Sequence, residues 1–218
     1  MKKNPVITVA LILLAIVGVS VFAAANNQDG DRMDDMNMNS STDSEVSVMP
    51  NKKSADYNMM ATVSGEDFDR LFLANMIAHH QGAVDMANLA LKSAKHQEVK
   101  DLAKAIVSTQ TTEIANMVSW QKTWGYSASS GTGMIDHTAM SMDDTNAGMM
   151  NALNNKTGDD FDKAFLTQMI LHHQSAIDMA ASGTNANHQE VKDLTTAIIS
   201  AQTKEIKQMK QWQKNWGY

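Results

Sequence analysis

Two histidine pairs, His79-His80 and His172-His173, sit in nearly identical strings, MIAHHQGAVDMA and MILHHQSAIDMA. In each string a methionine stands three residues before the first histidine (Met76, Met169). Another stands six after the second (Met86, Met179). Thioether sulfur is a soft, neutral donor, and imidazole accepts borderline and soft metals. Together, with no thiolate, they suit Cu(I), Ag(I) and, through histidine, Cu(II). The chain has no cysteine, which excludes disulfides, zinc ribbons, iron–sulfur clusters, blue-copper sites and thiol nucleophiles. It has 18 methionines in 218 residues, an excess that a functional reading has to explain.

The elements around the pairs read as helices. At about 100° per residue, Met76, His79, His80, Ala83, Met86 and Ala87 fall on one arc with Phe68 and Phe72, opposite Gln81, Asp85 and Lys92. The histidines therefore face a core, with small alanines beside them. On the next helix, Met117, Trp120 and Trp124 share a stripe with Val99, Leu102 and Ile106, and Gln110 and Glu113 interrupt it. The second half repeats both intrusions as Gln202 and Glu205, beside Met209. A buried unpaired carboxylate is costly, so Glu113 and Glu205 are predicted to hold the far ring nitrogens of His79, His80, His172 or His173 rather than a metal. The stripes lack the clustered carboxylates that hard ions prefer.

The chain repeats itself. Residues 67–126 and 160–218 align with an offset of 93 that becomes 92 from HQEVKDL onward. Each unit reads as two helices, the first over about 67–92 and the second over about 97–124. Ser64 and Thr157 are predicted N-caps, and Gly125 and Gly217 are predicted stops. The tryptophans at three-to-four spacing read as core or hairpin-closing residues. Two repeated hairpins predict an all-α, ferritin-like four-helix bundle, with residues 64–126 and 158–218 as its halves.

The remaining segments are polar. Residues 26–63 (with Met33, Met36 and Met38) and 127–157 show no apolar period and are predicted to be disordered. The second holds Met134, His137, Met140 and Met142, then Met149 and Met150, which would collect metal from solvent. Residues 1–25 read as a signal peptide: Lys2 and Lys3, an apolar run from Val6 to Phe22, then Ala23, Ala24 and Ala25. Its cleavage would leave a periplasmic or extracellular protein without stable membrane insertion. Those 25 residues carry two lysines and no acid, so the rest carries 16 basic and 24 acidic residues, net −8. Such a surface disfavours nucleic acid and attracts cations.

At MIAHHQGAVDMA and MILHHQSAIDMA the chain resembles the CopM-type family. These are exported, Met- and His-rich copper-binding proteins carrying a ferritin-like domain of formerly unknown function. The resemblance spans both repeats, the signal peptide and the Met-rich linkers. It implies a helical bundle, extracytoplasmic copper binding and copper resistance. A copper efflux or sensor protein is the expected partner. The motif residues carried over are Met76, His79, His80, Met86, Met169, His172, His173 and Met179. Two other readings compete: a partner-binding helical module with a Met-rich surface, and a ferritin-like di-metal oxidase. The oxidase needs several inward carboxylates and Glu-x-x-His pairs, and no Glu lies three before any of the seven histidines. A non-enzymatic copper protein is the expectation.

Overall fold

The computed structural model describes residues 48–126 and 134–218, with side chains omitted for 134–141. Within them six helices follow in order: α1 (Ala55–Ala61), α2 (Glu66–Ser93), α3 (Gln97–Trp124), α4 (Met134–Leu153), α5 (Gly158–Ala180) and α6 (Gln189–Trp216). A short 3-10 turn lies at Gly183–Asn185. Helices α2/α3 and α5/α6 are the two repeated hairpins, and α2 packs on α5 between them. This is the predicted four-helix bundle.

Local chemistry sets the helix ends. Acids in the first turns of α2 (Glu66, Asp67, Asp69) and α5 (Asp159, Asp160) complement the helix dipole. Gly125 and Gly217 end α3 and α6 at φ 70° in the left-handed region, where glycine carries no Cβ penalty. The predicted N-cap Ser64 is displaced by one residue. Gly65 is the N-cap of α2, at φ 65°, and neither it nor Thr157 at α5 makes a side-chain cap bond. The Gly65 amide bonds Asn185 of the other hairpin instead, at 2.7 Å. Bridges between Gly65 and Ala186 and between Ala94 and Gly158 show α2 and α5 running antiparallel, each start beside the other's end. The pairing matches under the repeat offset, so the hairpins are related by an approximate two-fold.

The polar segments predicted to be disordered contain two of the helices. Residues 26–47, with Met33, Met36 and Met38, lie outside the described residues. Further on, α1 buries Met60 completely and packs on α5. Helix α4 packs on α2 and α5 and buries Met142 and Leu153. At Gly82 a Cβ would collide with the Asn146 side chain, whose amide donates to the Ala78 carbonyl at 3.1 Å. Met142 and Leu153 are eleven residues apart, three helical turns, so α4 has an apolar stripe too sparse to stand out among its polar residues. Asp85 is exposed as its arc predicts, but its repeat partner Asp178 is buried. The Asn51 amide donates to Asp178 at 2.7 Å, and Gln174 bonds both Asp178 and the Met49 carbonyl. The chain before α1 covers that face.

Candidate metal centre

Helices α2 and α5 cross at their histidines. The rings of His79 and His172 meet with centroids 3.6 Å apart and planes tilted 35°. His80 and His173 follow at 6.3 and 6.4 Å from their chain neighbours. All four side chains are buried. His80 Nε2 lies 2.7 Å from Glu113 Oε2, and His173 Nε2 lies 2.6 Å from Glu205 Oε2. An ionised carboxylate only accepts, so each Nε2 donates in its pair, and each Nδ1 stands on the other side of the ring. Those Nδ1 atoms have no hydrogen-bond partner, nor do either of the ring nitrogens of His79 and His172. Burial, and then the neighbouring imidazoles, hold His79 and His172 well below the usual histidine pKa. Both rings therefore stay neutral and keep a free lone pair.

The methionines flank this layer. Met76, Met117, Met142 and Met179 share one apolar cluster with Met60, and Met86, Met169 and Met209 share the other. Each cluster joins the leading methionine of one histidine helix to the trailing methionine of the other, as antiparallel helices require. At 1.5 Å rise per residue, Met76 lies about 5 Å along the axis before His79 and Met86 about 10 Å beyond it. Packing alone accounts for these side chains as core. Among the described residues, no three His, Asp or Glu side chains are gathered as a ready ligand cluster. Any ion bound here would need ring rotation around it.

The other candidates lie in α4. Met134, His137 and Met140 belong to its first two turns, and their side chains lie outside the described residues. Met142 is buried, and Met149 and Met150 pack half-buried against the core. These three are packing residues of a helix rather than solvated collectors.

A second symmetric arrangement escaped the sequence reading. Asp162 on α5 accepts from the amides of Lys95 and His96 at 3.0 and 2.8 Å, and from His96 Nδ1 at 2.7 Å. Asp69 on α2 does the same for Asn187 and His188, at 3.0, 3.1 and 2.7 Å. Each fully buried aspartate thus caps the second helix of the opposite hairpin. Trp216 stacks on His96 at 3.8 Å and Trp124 on His188 at 3.7 Å. Trp124 and Trp216 close one hairpin against the other, with Trp120 and Trp212 stacked on them from their own helices. The available signal was the repeated second aspartate of DFD, present at both Asp69 and Asp162.

A family described as a domain of unknown function, DUF305, matches residues 20–117 and 72–213. The structure is similar to CopM in its Cu(II)-bound form, with 41% identity, a TM-score of 0.56, and 68% of this chain and 97% of that chain covered. It is similar to the Cu(I)-bound form of CopM at 38% identity and TM-score 0.56, covering 68% and 96%. A DUF305 protein from Streptomyces coelicolor shares the fold at 24% identity and TM-score 0.60, covering 68% and 93%. No curated protein matches the chain.

Proposed function

Because the chain belongs to the DUF305 family, we propose that it is an exported, non-enzymatic copper-binding protein that sequesters or passes on copper in copper resistance. The observation that carries this reading is the set of unpartnered ring nitrogens at His79, His80, His172 and His173. A buried polar atom without a partner is destabilising by about 1–3 kcal/mol, and native folds rarely keep several together. A soft cation would satisfy them. The donor set fits: imidazoles, methionine thioethers on either side, no thiolate, and two carboxylates close enough to balance a buried positive charge.

His80 and His173 would bind through Nδ1, their rings held by Glu113 and Glu205. His79 and His172 would supply the remaining nitrogens. CopM has been solved with Cu(I), Cu(II) and silver bound, which supports copper as the cargo and silver as a mimic. Glu113 and Glu205 are engaged by histidine, which favours a carrier over a di-metal oxidase. Among the described residues no helix is long and apolar enough to cross a membrane. Export rests on the leader-like residues 1–25, with the periplasm or exterior as destination. The test is metal analysis of protein from the exported fraction, followed by Cu(I) competition titration. Copper in the wild type and its loss in His79→Ala/His172→Ala is the expected result. Iron, or no metal, would overturn the reading.

A further inference from the structure

The four histidines are sealed from solvent: their exposure ranges from 0 to 2%. On the α2/α5 side, α4 and α1 lie across the histidine helices. The opposite side is built differently. Between α3 and α6 lies a small cavity of about 20 Å³, lined by matching residues of the two repeats. It has room for about one water-sized occupant. Five of its side chains are polar; Thr109 corresponds to Ala201 under the repeat offset, and the other four match in kind, Gln110 with Gln202 and Glu113 with Glu205. The two glutamine side chains are 4% exposed, and the Oε1 of each is buried without a hydrogen-bond partner. The glutamates are 19 and 22% exposed at the side chain, while their Oε2 atoms hold His80 and His173. One side chain therefore spans the whole distance from solvent to the histidine layer, once on each side of the two-fold.

We propose that this Gln110–Glu113/Gln202–Glu205 chamber is the route by which a monovalent soft cation reaches and leaves the histidine centre. The proposal rests on the copper reading above. A cation crossing an apolar bundle wall would lose its hydration shell with nothing in exchange. Two amide carbonyls and two carboxylates offer oxygen in place of water along this cavity. The net negative charge of the chain draws cations toward such a mouth. The glutamines are not ligands of the centre. They set the height of the barrier, and the affinity belongs to the histidines.

The experiment uses the full chain loaded with Cu(I) and mixed with a large excess of bathocuproine disulfonate, with release followed by the colour of the chelate. Equilibrium affinity is measured separately by competition, and folding by thermal melting. Gln110→Leu/Gln202→Leu fills the chamber with apolar side chains. Release should slow by about tenfold, the effect of removing a polar partner from a buried path, with affinity unchanged because arrival slows equally. Gln110→Ala/Gln202→Ala widens the chamber and should speed release, again at unchanged affinity. This second variant keeps the test decisive if the leucine protein melts early. Wild-type release in both variants would overturn the proposal and leave the chamber a water-filled structural cavity. A release rate that changes in step with affinity would also overturn it, by making the glutamines part of the centre. Failure of the copper reading looks different: the wild type would take up no Cu(I), or His79→Ala/His172→Ala would hold it as tightly.

Discussion

His79 and His172 lie 93 residues apart in sequence, yet their rings touch at 3.6 Å, with neither nitrogen of either ring bonded. Two neutral imidazoles so placed destabilise the metal-free fold. His79→Leu/His172→Leu keeps most of the volume and removes four unpartnered atoms. The metal-free variant should gain about 1–3 kcal/mol in urea denaturation, while Cu(I) binding is lost. Equal or lower stability would mean that the nitrogens are satisfied in solution.

Acid should act on the same two rings. Their pKa values are lowered in the folded protein, so below the ordinary histidine value, about 6.5, the unfolded chain binds protons that the folded chain cannot. Stability of the metal-free protein is then highest above that pH and falls as pH drops through it. The fall is at most about 1.4 kcal/mol per pH unit for each histidine. Melting between neutral pH and the acid side of this window checks it, and a flat profile would reject the neutral buried rings.

Much of this centre was legible because it depends on periodicity. The histidine pairs, Met76, Met86 and Glu113 fall on inward arcs at 3.6-residue spacing, and the repeat doubles each observation. Gly125 and Gly217 mark their own helix ends. What could not be read locally depends on what covers what. Asp178 has the same outward angle as Asp85 but is roofed by residues 49–51. Asp69 looks like an ordinary first-turn acid for its own helix dipole, yet serves the opposite hairpin. Helix α4 packs against α2 at Gly82, a contact that a polar, Met-rich string does not announce.

That docking gives a direct test. Gly82→Ala places a methyl where Asn146 lies, and overpacking of this kind destabilises by about 1–3 kcal/mol. Limited proteolysis should then cut within 134–153 first. Pairing it with Asn146→Ala makes room for the methyl but forfeits the bond to Ala78, so the double variant should recover only part of the loss. Additive losses would show that the two positions do not touch.

The crossed aspartates should be equivalent. Asp69→Asn and Asp162→Asn each remove the charge from a fully buried group that accepts two amides and a histidine. Each should destabilise by about 2–4 kcal/mol, combining a lost cap with a weakened buried pair, and by similar amounts because the hairpins are matched. Chemical denaturation of both variants measures this. A large loss in only one would break the two-fold equivalence.

The last prediction concerns the glutamates that hold His80 and His173. Glu113→Gln and Glu205→Gln keep the shape and an oxygen that can accept from Nε2, but remove the negative charge beside the centre. Stability should change little, because the Gln carbonyl still accepts from Nε2 and only the difference between two hydrogen bonds, each contributing about 0.5–1.5 kcal/mol, is at stake. Metal binding should suffer more, since an incoming cation loses both a counter-charge and the basicity that the carboxylate lends to the ring. Loss of such an outer partner weakens metal binding by about 10- to 100-fold. Cu(I) competition titrations on the two single variants and the double variant would measure it. Wild-type affinity in all three, with melting temperatures unchanged, would mean that these bonds only fix the bundle and that the charge at the centre is balanced elsewhere.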